Sequence, residues 1–158
     1  MSALRSFRLA TIGAAAVLSC SLAAAGDTQN MTVQAVVVGT CKLVSVPTLD
    51  FGTLDQVAAP AVNPAAVNVT YRCTKNTAPS GFTVGGSNTG SFAGSLTNGT
   101  DNIAYTIAWT NPTTQGSGLG TGITPVNVAL TGSMLGGSNY QNVSAGTYTQ
   151  SVAIVIAP

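Results

Sequence analysis

The sequence predicts an all-β sandwich with Greek-key connections. Apolar residues recur with period two along nearly the whole chain, and nowhere do they hold a helical period for long. Six or seven short alternating runs are separated by segments rich in Gly, Pro, Asn and Ser. The 158 residues leave room for one domain, with no internal repeat and no second domain boundary.

The first segment stands apart from that pattern. Arg5 and Arg8 precede the apolar run "LATIGAAAVLSCSL", and "AAA" follows at 23–25. A basic start, a short apolar stretch and small residues predict a secretory signal over 1–25, cleaved near Ala25–Gly26. Cys20 raises a rival, a lipidated leader. Ser19 suits that motif, but Leu18 is bulky for it.

The mature chain begins with a polar tail and then "MTVQAVVV" (31–38), which alternates like a strand. "TLDFG" (48–52) reads as a short strand closed by Gly52. "DQVAAPAVNPAA" is turn-rich. "VNVTYRC" (67–73) places Val67, Val69, Tyr71 and Cys73 on one face and Asn68, Thr70 and Arg72 on the other. "GFTV" (81–84) is a brief strand. "VGGSNTGSFAGSLTNG" (84–99) reads as a flexible surface loop, with Asn98-Gly99 as a tight turn. "IAYTIAWT" (103–110) stacks Ile103, Tyr105, Ile107 and Trp109 on one face. "VNVALT" (126–131) groups Val126, Val128 and Leu130. The chain closes on "AGTYTQSVAIVIAP", strand-like from Thr147, with Tyr148, Val152, Ile154 and Ile156 on one face.

Composition excludes several functions. Beyond the leader, three cations (Lys42, Arg72, Lys75) face four carboxylates (Asp27, Asp50, Asp55, Asp101). No basic cluster suits nucleic acid, and no later apolar run is long enough for stable membrane insertion. The chain has no histidine. That removes the commonest general base and metal ligand, so we expect no catalytic residues, no metal and no cofactor. Asp50 and Asp55 are the only close carboxylate pair, and they read as turn residues rather than a glycosidase pair. The Gly-rich segment lacks the Lys and the following helix of a phosphate loop. Sequons at Asn30, Asn68, Asn98 and Asn142 read as incidental to a Thr/Asn-rich composition. Charged residues form only 6% of the chain, against about a quarter in soluble domains generally. A surface of Thr, Ser and Asn suits an extracellular polymer or coat.

Two cysteines remain after the leader, Cys41 and Cys73. In an exported protein such a pair most often forms one disulfide. It would close a loop of about 33 residues, which the chain-entropy model values at roughly 3–4 kcal/mol.

Both ends of the mature chain are therefore apolar alternating strands. An ordinary sandwich would pair both internally. A fold lacking its final strand would leave an open groove, and a neighbouring molecule's N-terminal strand could fill it. This is donor-strand complementation, a form of β-strand addition. Its head-to-tail contact builds open filaments and leaves no edge to aggregate.

Five stretches in order carry a resemblance: "MTVQAVVVGTC", "LDFG" at 49–52, "VNVTYRC", "IAYTIAW" and "AGTYTQSVAIVI". Together they span nearly all of the mature chain, which resembles the spore coat protein U domain family, including the subunits of archaic chaperone–usher pili. Gln150 departs from it, standing where the family often has Asp, and the Gly-rich segment lacks an Arg commonly seen there. The resemblance implies an incomplete immunoglobulin-like Greek-key sandwich lacking its final strand. Behind the leader over 1–25, it implies a donor extension over 26–40 and a pilin domain over 41–158. It assigns Cys41 and Cys73 to the intradomain disulfide, Met31, Val33, Ala35 and Val37 to the donor strand, and Tyr148, Val152, Ile154 and Ile156 to the acceptor groove. The implied partners are identical or related subunits, a periplasmic chaperone and an outer-membrane usher, with export to a cell-surface pilus serving adhesion or biofilm. A spore-coat structural protein and a monomeric secreted module binding carbohydrate or another surface are the alternatives.

Overall fold

The computed structural model describes residues 26–158, so the predicted leader and Cys20 lie outside the described residues. The chain divides between Ala35 and Val36 into two units. Residues 26–35 contain no helix or strand, and their Met31 and Val33 are exposed. An alternating segment without a ladder partner has nowhere to place its amide groups except in water. The predicted strand over 31–38 is accordingly not formed, and Val36, Val37 and Val38 of the second unit are exposed as well.

The second unit is all-β and antiparallel. Its larger sheet has the order β1-β2-β6-β5-β4, from Cys41–Ser45 (β1), Val67–Cys73 (β2), Ser91–Thr97 (β4), Asn102–Trp109 (β5) and Val126–Ser133 (β6). The smaller sheet pairs Gly81–Val84 (β3) with Ile154–Ala157 (β7). A single 3-10 turn, Gly137–Asn139, is the only helical element among the described residues. The core lies between the sheets, as expected for a sandwich.

The alternation read from the sequence sets the two faces. Ile103, Tyr105, Ile107 and Trp109 are buried on β5 while the residues between them are exposed. Val69, Tyr71 and Cys73 on β2 and Val128 and Leu130 on β6 complete that inner face. Trp109 meets Phe82 of β3 edge-on, at 6.3 Å between ring centroids, so it is a core residue joining the two layers. Cys41 lies directly opposite Cys73 in the β1–β2 ladder, and the two form the disulfide.

Three further strand expectations are corrected. The Gly-rich stretch is not a loop throughout, because residues 91–97 form β4 and pair with β5 from Ser91–Ala108 to Thr97–Asn102. Gly94 hides this strand from the sequence. The ring of Tyr105 lies where its side chain would be, and a Cβ there would come within 2.5 Å of Tyr105 Cζ. Residues 48–52 form no strand. Asp50 instead accepts the Gly52 amide at 2.8 Å, making a local turn, while Phe51 still reaches Tyr105 at 5.6 Å between centroids. The final strand is shorter than read, since a ladder exists only along β3. Upstream of it, Thr149 makes one isolated bridge to Thr97. The Asn98-Gly99 turn does join β4 to β5.

Candidate functional site

The candidate site is the gap between the free edges of the two sheets. β1 is an outer strand of the large sheet and β7 an outer strand of the small one. They lie near each other with no ladder between them. From β1 the chain continues through residues 46–57, and these form one wall. Residues 143–154 form the other. Two hollows of about 220 Å³ and 830 Å³ open here, and they share Thr48, Leu49, Phe51, Leu96 and Gln150. The floor of the smaller one is core: Val84, Tyr105, Ile107 and Leu130 line it together with Val152 and Ile154.

Each wall is held by identifiable contacts. Leu49 and Phe51 lie over Gly132 of β6, where a Cβ would sit 2.8 Å from Leu49 Cδ2 and 3.1 Å from Phe51 Cζ. The absence of a side chain there lets the wall close onto the sheet. Gln56 Nε2 donates to the carbonyls of Tyr140 and Val143, tying one wall to the other at its far end. Across the middle, Tyr105 Oη donates to Gln150 Oε1 at 2.7 Å, and the Ser95 amide donates to the same oxygen at 2.9 Å. Burial pushes the Tyr105 phenol above its ordinary pKa, so the hydroxyl stays a donor.

Asp101, in the β4–β5 turn, fixes the start of the second wall. It accepts the Ser144 amide at 2.8 Å and the Ser144 hydroxyl, and Tyr148 Oη approaches it at 3.5 Å. The hydrogen bonds from the Ser144 hydroxyl and amide hold its carboxyl below the usual value. Sequence reading gave Asp101 no role. Its signal was the Asn-Gly-Thr-Asp turn, in which Asn98 Oδ1 accepts the amides of Thr100 and Asp101.

β7 has one bonded edge and one bare edge. The Gly85 amide donates to the Ala153 carbonyl at 2.8 Å, and Val155 lies opposite Thr83. By the alternation of an antiparallel ladder, Ala153, Val155 and Ala157 therefore direct their backbone groups to β3. Val152, Ile154 and Ile156 direct theirs the other way, toward the gap. Their side chains point inward and are half-buried.

Of the acceptor residues named from sequence, Val152 and Ile154 line the smaller hollow and Tyr148 the larger. Ile156 lies opposite Phe82 in the β3–β7 ladder and lines neither. Leu49, Phe51, Leu96, Ile107 and Leu130 also line the gap and were not singled out; their signal was only that of ordinary core positions. The residues named from sequence as the donor strand, Met31, Val33, Ala35 and Val37, are exposed, and none belongs to a strand. Among the described residues no group of His, Cys, Asp and Glu is arranged to hold a metal ion, and no helix is long and apolar enough to cross a membrane.

A family model described as the Spore Coat Protein U domain matches residues 27–155. Neither a curated protein nor a solved structure matches the chain.

Proposed function

The chain belongs to the Spore Coat Protein U domain family, and from that premise we propose that it is a structural pilus subunit polymerising by donor-strand complementation. The observation that carries this reading is the bare edge of β7. It presents the backbone groups of Ile154 and Ile156 beside hollows floored by core side chains, with Val152 just upstream lining the smaller one. One added strand would pair those groups and cover that floor. Met31, Val33, Ala35 and Val37 have the matching alternation, so the same segment of a second copy is the donor. Residues 26–40 act as the donor extension and 41–158 as the receiving domain, behind a leader over 1–25.

The interaction is head-to-tail, so each copy receives one strand and gives one, and the chain of contacts has no natural end. A subunit with an open apolar groove needs cover before assembly. A periplasmic chaperone supplies that cover in this reading, and an outer-membrane usher exchanges it for the next subunit's donor. The surface poor in charge and rich in Thr, Ser and Asn then faces the medium as an extracellular fibre, with roles in adhesion and biofilm. The family's description favours a second reading, in which the same strand exchange builds a spore coat.

The test is the state of the purified, exported protein. Unboiled on a denaturing gel it should run as a ladder of multimers that collapses to one band on boiling. A single monomer band before boiling would defeat the polymer and favour a monomeric binding module.

A further inference from the structure

The strand registers place the charges of the receiving domain at its two ends. At one end Lys42 lies opposite Arg72, beside the Cys41–Cys73 pair, and Lys75 follows in the same turn region. These are all the cations among the described residues. Arg72 has no carboxylate for a partner: one Nη donates to the Thr121 carbonyl, and its Nε is buried without a hydrogen bond.

The carboxylates lie at the other end. The registers run from Tyr71–Val126 through Val67–Leu130 and Leu130–Trp109 to Thr106–Ser133. Each step leads away from the disulfide, and the β4–β5 turn that carries Asp101 lies beyond the last. Asp50 and Asp55 line the larger hollow with Leu96 and Ile103, the pair next to that turn. Asp50 and Asp55 are exposed and accept only amides of their own turns.

The chain enters β1 at the basic end, since Thr40 precedes Cys41 and accepts the Thr74 amide there. The N-terminal segment therefore leaves the domain from its basic end. Thr149 of the second wall bridges Thr97 at the acidic end, and β7 runs from there toward Gly81 and the basic end. A donor strand lying antiparallel to β7 would finish at the acidic end of the receiving copy. The donor's own domain would then bring Lys42, Arg72 and Lys75 against Asp50, Asp55 and Asp101. A parallel donor would bring basic end against basic end.

We propose that this contact between the basic end of one copy and the acidic end of the next is an electrostatic seam that orients and speeds assembly. It rests on the donor-strand reading above. Complementary potentials act mainly on encounter and register, and they are screened by salt.

A zero-length carbodiimide applied to polymer assembled from the full exported chain joins amines to carboxylates only in direct contact. We expect Lys42 or Lys75 coupled to Asp50, Asp55 or Asp101 between isotope-labelled and unlabelled copies. The chain carrying both Lys42→Glu and Lys75→Glu alters exposed side chains only. It should assemble several-fold more slowly than the parent at low salt, and equally fast in about 0.5 M NaCl, where charges farther apart than a few ångström are screened. Parental speed at low salt, or polymer with no such cross-link, would overturn the seam. Val33→Asp separates the two ideas. If it fails to polymerise while the glutamate chain assembles like the parent, only the seam is lost. If it polymerises normally, the donor reading falls and the seam with it.

Discussion

Tyr105 and Gln150 meet across the groove. The phenol of a buried β5 residue donates at 2.7 Å to the side chain of a residue in the second wall, forty-five positions later. The same Gln150 oxygen accepts the Ser95 amide of β4. One carbonyl thus holds the wall against two neighbouring strands. A neutral hydrogen bond of this kind contributes about 1 kcal/mol, and a buried donor left without a partner costs about 1–3 kcal/mol. Gln150→Ala should therefore lower unfolding stability by about 1–2 kcal/mol, and Tyr105→Phe by less, because it removes the donor along with its need. The double variant should cost less than the sum of the two, as expected for partners in contact. Urea midpoints of the three chains check this, and strict additivity would mean that the bond contributes nothing.

The periodicity of the sequence made the core legible. Ile103, Tyr105, Ile107 and Trp109 alternate without a break, and the Cys41–Cys73 pair was legible as a disulfide, although β1 itself was not read as a strand. What escaped it has a common cause. β4 carries Ser91, Gly94 and Ser95, so its own side chains give almost no pattern; its place is dictated by Tyr105 on the neighbouring strand. The wall at Leu49 and Phe51 depends likewise on Gly132, more than eighty positions away. Tertiary contacts of this kind leave no local trace. The terminal strand was over-extended because alternation continues from Thr147, while a ladder needs a partner and β3 supplies one only for Ile154–Ala157. In a chain whose proposed partner is another copy, alternation outruns the strands that one copy can pair.

Asp101 gives the second wall an acid sensitivity. Its hydrogen bonds with Ser144 depress the folded carboxyl below its ordinary pKa. The unfolded value is about 3.9. The group's contribution to stability is therefore fully present above that value and is lost as pH falls through the lower folded one. The side chain is at the surface, so the effect is small and weakens with salt. Melting temperature followed from about pH 5 downward should fall less steeply for Asp101→Asn than for the parent. Parallel curves would show that Ser144 does not stabilise the ionised form.

The Cys41–Cys73 disulfide closes the β1–β2 ladder at the end where the N-terminal segment begins. The intact mass of the exported chain should be two hydrogens lower than that of the reduced mature form. Replacing both cysteines by serine should cost roughly 3–4 kcal/mol by the loop-entropy argument. The loss should appear as a lower urea midpoint together with a somewhat steeper slope, since without the bridge the unfolded chain is less constrained and exposes more surface. Free thiols in correctly exported protein would remove the disulfide from the account.

The donor assignment predicts a separation between folding and assembly. Val33 and Val37 are exposed in the chain by itself, at 81% each, and belong to no strand. Val33→Asp or Val37→Asp should therefore leave the melting temperature of the isolated domain within a degree or two of the parent. In the polymer the same side chain would have to enter the gap beside Val152 and Ile154, over a floor of Ile107 and Leu130. Placing a polar group there without a partner costs about 2–7 kcal/mol, and more if it stays charged. Each 1.4 kcal/mol is a factor of ten in binding, so a loss of at least about ten-fold in polymer is expected. Ile154→Asp should abolish assembly too, but it should also destabilise the fold, because Ile154 already packs against the core. The contrast between the two kinds of variant is the measurement: gel ladders report assembly and thermal melts report folding. Normal ladders from both Val33→Asp and Val37→Asp would show that these residues are not the strand that fills the gap.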